Sequence, residues 1–406
     1  VTAEQVPVPD HGEPAPDGPL AAPDGPLAVS LDVSAVPTEP VGAGRYTVEL
    51  VRALVRRAEV TLTLWCRTDD GDRWRQVAGS PHRVRPVAPR PRPLRLAWEQ
   101  TGLPLRLRRG SVAVHHGPHY TMPVLAPVPA VVTVHDLTFV DHPEWHEPAK
   151  VLVFRQAIAL ARRRAAVVVC VSDATARRLR QTGPVAGRLL VVPHGVDHRR
   201  FRPDEPEPGA DERTLAALGV RRPYLLFLGT IEPRKQVDVL VRAFDAIAAS
   251  QPELLLVLAG RSGWGTDPAT AAIAASPHRR RIVQTGYVLE AAVPALLRQA
   301  AAVCYPAAEE GFGLPALEAV ACGAPLVTTA GSVMAELVGE AAVTAPAGSV
   351  AGLVGALQAV LAGGDAAAAR RQVGLEVAAA RTWDASAAGH VRAYRLAAGR
   401  CRWPDR

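Results

Sequence analysis

The sequence predicts an α/β protein made of two doubly wound, Rossmann-like units that face each other across a cleft. Three observations predict it. Short apolar runs rich in β-branched residues alternate with longer segments of helical spacing. The alternation halts at a polar, proline-bearing stretch over residues 198–216 and then restarts. With 48% hydrophobic and 21% charged residues in 406, the chain has the ordinary globular mix and the length for two or three domains.

Along the chain, residues 15–28 read APDGPLA twice in tandem inside a Pro/Gly/Ala-rich leader. Such a segment buries too little apolar surface to offset its ordering entropy, so residues 1–26 are expected to be disordered. Folded structure is expected from LAVSLDV, near Leu27. VTLTLW, AVVTVH and AVVVCVS read as strands, with RYTVELVRALVRRA and KVLVFRQAIALARRR as helices between them. Past the 198–216 linker, the strands are YLLFLG, ELLLVLAG, RIVQTGYV, AVCYP, APLVTTA and AAVTAPA. Strands alternating with helices build parallel sheets covered on both faces. The expected division is 27–200 for the first unit, 201–380 for the second and 381–406 for a C-terminal helix and tail. Ligands of such sheets bind beyond the carboxyl ends of the strands, so the residues just after each strand matter most.

Composition excludes several classes. No apolar run approaches the roughly 18 residues of a spanning helix, and the acidic, Pro-rich start lacks the pattern of a secretory signal. Cys66, Cys170, Cys304, Cys322 and Cys401 have no paired spacing, against a disulfide framework or zinc site. A reducing cytoplasm fits best. The net charge is +7, yet Lys150 and Lys235 are the only lysines among 46 basic residues, a bias that a GC-rich genome produces without function. With 5% aromatics and no reader motif, nucleic-acid binding is not expected.

The most informative stretch is YPAAEEGFGLPALEAVACGAP, residues 305–325. Gly311 and Gly313 precede a helix whose first turn holds Leu314 and Pro315. Free amides and the positive end of the helix dipole suit a phosphate there. Glu310 and Glu318 flank this anion site; carboxylates are poor phosphate ligands and good acceptors for sugar and ribose hydroxyls. A second constellation, FLGTIEPRKQ, delivers Glu232, Arg234 and Lys235 after a buried strand, where cations neutralise a diphosphate as its charge develops. Basic residues at a helix start oppose the macrodipole, so a purely structural role gains nothing from the helix. Third, His135 and Asp136 follow an apolar strand. Gly42 and Gly44 precede a helix, but Thr47 replaces the third glycine of a dinucleotide fingerprint, disfavouring a nicotinamide cofactor. Asp70 and Asp72 read as a polar turn rather than a metal site. His115, His116 and His119 lack a companion with metal spacing and either line the cleft or form a loop.

Together these motifs resemble the retaining GT-B glycosyltransferases of family 4, through EEGFGLPALEAVACGAPLV, GTIEPRKQ, VVPHGVDHRRF, GAGRY, WEQTGLP, TVHDLTFVDHPEW and VSDATARRL. The likeness covers roughly residues 28–400 and is greatest to mannosyl- and rhamnosyltransferases. It implies a C-terminal helix crossing back to the first domain, and transfer of a mannose-like hexose from a sugar nucleotide, a GDP-sugar ahead of UDP or dTDP. Glu310 would then face the donor sugar, Glu318 the ribose, and Lys235 with Arg234 the diphosphate, beside the Gly313 and Leu314 amides. Gly44 would approach the phosphates and His135 the transferred sugar. Glu310, Lys235 and His135 are thus the implied catalytic residues, with no metal or other cofactor. Thr230 stands where many members carry arginine, leaving open whether Arg234 supplies that charge, and Gln236 where asparagine is frequent. The acceptor would be a hydroxyl, often lipid-linked in this family. Residues 83–109, with eight arginines against Glu99, form either a solvated face or a peripheral contact with the inner face of the membrane. Rival readings are a sugar-nucleotide epimerase on the same fold and a basic polyanion-binding module.

Overall fold

The computed structural model describes residues 25–399. Seven parallel strands form the first sheet: β1 (Leu27–Asp32), β2 (Val60–Arg67), β3 (Arg83–Ala88), β4 (Val114–Gly117), β5 (Ala130–Val134), β6 (Val167–Cys170) and β7 (Arg188–Val191), in the order β3-β2-β1-β4-β5-β6-β7. Six more form the second: β8 (Tyr224–Leu228), β9 (Leu255–Ala259), β10 (Ile282–Gly286), β11 (Ala302–Tyr305), β12 (Leu326–Thr329) and β13 (Ala342–Ala345), in the order β10-β9-β8-β11-β12-β13. Strand order reverses beside β1 and β4 in one sheet and β8 and β11 in the other, and these switch points face the cleft. The strand register is fixed by continuous apolar runs: β9 is buried along its whole length, as a sheet covered on both faces requires. Three strands lay outside the apolar runs. β3 alternates exposed and half-buried residues and carries Pro86, which an edge strand tolerates; β4 is the short, polar VHHG; and β7 is half-buried throughout.

The 198–216 stretch is not wholly a linker. A helix spans Ala210–Ala217, and its Asp211 is buried in an ion pair with Arg298 at 2.6 Å. The signal was hidden because a buried charge pair reads as surface polarity until its partner is known. The 1–26 leader lies outside the described residues as far as 24; β1 begins at Leu27. Cys66, Cys170, Cys304 and Cys322 are buried free thiols, and Cys401 lies outside the described residues.

The helix Trp383–Ala398 returns to the first lobe, where Trp383, Ala387, Val391 and Tyr394 enter the core beside Val29, Leu50 and Leu62. Outgoing and returning chains touch at Val196 and Thr382. A Cβ on Gly195 would lie 2.1 Å from the Trp383 amide nitrogen, so only glycine fits this crossing.

A buried polar relay fixes the helix in place. His390 Nδ1 lies 2.8 Å from the Ser386 carbonyl, which can only accept, so Nδ1 carries the proton and Nε2 accepts from Tyr46 Oη at 2.7 Å. Tyr46 Oη then accepts from Thr133 Oγ1 at 2.9 Å, Thr133 Oγ1 accepts from His116 Nε2 at 2.9 Å, and His116 Nδ1 accepts from Tyr394 Oη at 2.8 Å. Every proton in the chain is assigned once both histidines are neutral. Burial pushes them that way, His390 down to about 4 and His116 well below its ordinary value. His116 therefore belongs to the core rather than to a loop or the cleft. Its neighbour His115 meets Ser30 Oγ at 3.0 Å and is likewise buried.

Candidate active site

The cleft holds a cavity of about 550 Å³ between the two switch points. On the second lobe β8 runs into Gly229, and a 3-10 turn over Pro233–Lys235 follows. Arg234 Nη1 lies 2.9 Å from Glu310 Oε1 and its Nε 2.9 Å from Glu232 Oε2. Lys235 Nζ contacts the same Glu310 oxygen. Burial pushes Lys235 well below the ordinary lysine value and Arg234 adds to this, while Glu232 and Asp136 oppose it. Arg234 and Lys235 thus share one half-buried carboxylate oxygen of Glu310.

After β11 the chain reaches Gly313, whose φ of 92° forms the left-handed entry to the helix Leu314–Ala321. The first turn's bonds run from Ala316 and Leu317 to the Gly313 carbonyl, so the Gly313 and Leu314 amides precede the helical ladder. Glu318, one turn in, is buried and held by Arg45 from the first lobe, Nη2 to Oε1 at 2.9 Å and Nη1 to Oε2 at 3.1 Å. Burial raises the Glu318 carboxyl above its ordinary value, with Arg45 and Arg200 working against the rise. Arg45 also lies over the Phe201 ring at 5.1 Å.

The lobes touch at Gly311. Its carbonyl accepts from Ser172 Oγ at 2.7 Å and Thr175 Oγ1 at 3.2 Å, and a Cβ there would lie 1.9 Å from the His135 carbonyl oxygen. His135 Nε2 donates to the Pro118 carbonyl at 2.8 Å, so Nδ1 is the acceptor. Burial lowers its pKa and keeps the ring neutral. Asp136 accepts from the Thr138 amide and hydroxyl at 3.1 and 2.9 Å. Burial raises Asp136, but Arg234 and these hydrogen bonds outweigh it and leave the group an anion. Tyr120, whose hydroxyl accepts from the Asp136 amide at 3.1 Å, has a φ of 66°, a strained conformation for a bulky residue.

His135, Arg234, Lys235, Glu310, Gly313, Leu314 and Glu318 all line this cavity. Gly44 does not: it sits inside the first turn of the helix Ala43–Leu54 against Pro37, while Gly42 and Ala43 face the cleft. The resemblance implied Gly44 at the phosphates, but the helix starts at Ala43, so the cavity wall on this side is Gly42 and Ala43. The residue that reasoning from sequence missed is Arg45. It stands in the quoted GAGRY, but nothing in one sequence pairs it with a carboxylate 273 positions away. Asp70 corrects the turn reading: it is buried, accepts from Trp74 Nε1 at 3.0 Å and precedes the helix Gly71–Ala78. Among the described residues no three His, Cys, Asp or Glu side chains converge as a metal site would require.

Two lobes with switch points opposed across a charged cleft and a returning C-terminal helix define the GT-B architecture. Residues 40–200 match the family model described as Glycosyltransferase Family 4, and residues 212–374 that described as Glycosyl transferases group 1. An O-antigen chain mannosyltransferase B of Escherichia coli is 29% identical over 76% of this chain and 85% of its own. A D-inositol 3-phosphate glycosyltransferase of Kribbella flavida is 32% identical over 66% of each. HepE of Anabaena, solved in complex with UDP-glucose, superposes with a TM-score of 0.72 at 18% identity, covering 90% of this chain and all of that one. The chain belongs to glycosyltransferase family 4.

Proposed function

We propose that this glycosyltransferase moves a mannose-like hexosyl group from a sugar nucleotide, a GDP-sugar ahead of UDP or dTDP, to a hydroxyl acceptor with retention of anomeric configuration. The observation that carries the reading is the convergence of Glu310, Lys235 and Arg234 at the anion site, with the Gly313 and Leu314 amides and His135 lining the same cavity. The mannosyltransferase relative of Escherichia coli supports the sugar and a place in envelope polysaccharide synthesis.

Breaking the anomeric C–O bond leaves its electron pair on the diphosphate. Lys235, Arg234 and the helix amides stabilise that charge. The acceptor oxygen attacks from the same face and passes its proton to a phosphate oxygen of the leaving group, giving the glycoside and a nucleoside diphosphate. His135 Nδ1, being an acceptor, receives a hydrogen bond from a hydroxyl of the transferred sugar. Glu310 takes further sugar hydroxyls and Glu318 those of the ribose. The cationic work falls to side chains and amides, so no metal is needed and EDTA should leave the rate unchanged.

We place the enzyme in the cytoplasm, resting on the membrane's inner face through residues 83–109. On the helix Arg92–Arg109, Leu94 and Leu105 are exposed among arginines, and nearby Leu125 is 66% exposed. Among the described residues no single helix is long and apolar enough to cross a membrane. Flotation with anionic vesicles at low salt tests the contact. For the reaction, a thermal-shift series with GDP, UDP and dTDP reads the base, since a ligand of the folded state raises its melting temperature. Proton NMR of the product then reads the anomer. A product of inverted configuration, or no shift with any of the three, would sink the reading.

A further inference from the structure

Beside the donor cleft lies a second cavity, of about 380 Å³, within the range of roughly 300–1,000 Å³ typical of small-molecule sites. It adjoins the first: His119, His146 and Glu232 border both. Two of its four acids are Asp32, at the end of β1, and Glu99, on the helix Arg92–Arg109; Glu99 is only 5% exposed. Asp32 Oδ1 accepts from the Ser34 amide at 2.9 Å. Burial pushes Glu99 up to about 8, with Asp32 adding to it and a Thr121 hydrogen bond and Arg95 opposing, so at neutral pH it keeps a proton to donate. Two tryptophans from different lobes line the space. Trp145 is stacked on His142 at 3.9 Å and 13°, while Trp264, on a second-lobe loop, is 55% exposed. Arg92, Arg95 and Lys150 supply its cations, against the acids Asp32, Glu147 and Glu232.

We propose that this cavity is the acceptor subsite and that it takes a neutral sugar residue, whose hydroxyls meet Asp32 and Glu99 and whose C–H face lies on Trp145 and Trp264. The inference deepens the transferase reading and rests on it. Four features argue for a neutral sugar over a phosphate-bearing acceptor. The acids Asp32, Glu147 and Glu232 match the three cations in number, so the cavity offers a phosphate no excess of positive charge. Burial raises the Asp32 carboxyl too, with the Ser34 hydrogen bonds and Arg95 opposing; a protonated Glu99 beside it gives a donor together with several acceptors, the set that vicinal hydroxyls complement. Aromatic faces provide apolar contact area for a pyranose. The bordering residues place the bound hydroxyl next to the cavity that holds Glu310 and His135. Trp264 and Glu232 come from the second lobe, so the subsite is complete only when the lobes are together.

Binding of methyl α-D-mannopyranoside to the full chain, read by saturation-transfer NMR, tests the subsite independently of turnover. Wild-type protein should bind it. Trp264→Ala, on an exposed loop where folding is not at stake, should weaken the signal, and Glu99→Leu should weaken it about tenfold, the loss of one buried hydrogen bond. Glu99→Gln, which keeps a donor, should restore most of it. In transfer assays the same variants should raise the acceptor KM, and nucleoside diphosphate should still raise the melting temperature. Undiminished glycoside binding in Glu99→Leu and Trp264→Ala, or no binding to wild type, overturns the proposal. So does D-inositol 3-phosphate serving as the better acceptor. Absence of any nucleotide shift alongside normal glycoside binding would fault the donor reading and leave the subsite standing.

Discussion

The two lobes share one topology and differ in what they bury. The second lobe's interior is mainly aliphatic and aromatic: Leu225, Leu226, Val257, Val303 and Val327 fill its sheet, its buried ion pair of Asp211 with Arg298 joins two helices, and Arg234 and Lys235 follow the end of β8. The first lobe buries His116, His194 and His390 with Tyr46, Thr133 and Tyr394 between its sheet and the returning helix, and His115 on the sheet's opposite face beside Ser30. An apolar core asks only for volume, whereas a polar relay asks for direction, because each donor must find its acceptor. One lobe therefore supplies a rigid platform for charged loops, and the other fixes the angle at which the last helix ties the two together.

The largest expected effect lies on the charged side. Lys235→Ala removes a buried amine from beside Glu310 and the proposed diphosphate site, and kcat should fall about 10²–10³-fold, the usual loss of one preorganised charge partner. Steady-state kinetics with a saturating donor checks it; a variant with parental kcat would move the anion site elsewhere.

Acid separates the lobes next. His116, His194 and His390 have pKa values depressed by burial, His390 and His115 to about 4. Below the unfolded value of 6.5 the unfolded chain takes up protons that the folded chain refuses, so stability present above 6.5 drains away as pH falls towards 4. Hydrogen exchange between pH 7 and 5 should then show β4 and β5 losing protection before β8 and β11. Equal loss in both sheets would mean the histidines do not set the acid limit.

A smaller cut tests the relay itself. Tyr46→Phe keeps the ring but strands the Thr133 hydroxyl and His390 Nε2, and should cost about 1–3 kcal/mol. Chemical denaturation measures it. The comparison sharpens with Tyr224→Phe in the second lobe, which removes only one bond, to the Leu296 carbonyl.

The same contrast explains what could be read from the sequence. The wall proposed for the donor is compact in the chain: 232–235 follow β8 and 310–318 follow β11 as one loop and helix start, so spacing and residue type exposed them. Apolar runs likewise revealed most strands. The wall proposed for the acceptor is gathered from Asp32, Glu99, His119, Trp145 and Trp264, which no local spacing relates. Within 83–109, Glu99 looked like a lone acid among arginines, because helical burial of one residue in a basic segment leaves no mark on composition. His115 and His116 were misjudged for a related reason: polarity in a four-residue strand signals a loop unless its hydrogen-bond partners, far away in sequence, are known.

The smallest effect comes from two aspartates that the sequence treats alike. Asp70 and Asp72 flank one glycine, yet Asp70 is buried, with Trp74 Nε1 at 3.0 Å, Arg67 at 3.3 Å and Arg73 at 3.3 Å around it. The Asp72 side chain is 90% exposed and meets only Arg75, one turn along the same helix. Removing Asp70 leaves the buried Trp74 indole N–H without its acceptor and takes one ion-pair partner from each of Arg67 and Arg73, so Asp70→Ala should lower the melting temperature. Exposed pairs within one helix contribute little, because solvent screens them and side-chain ordering offsets the gain. Asp72→Ala should therefore melt with the parent and transfer sugar at the parental rate. A loss of activity in that variant would make Asp72 a metal or substrate ligand and overturn the structural reading of this acidic pair.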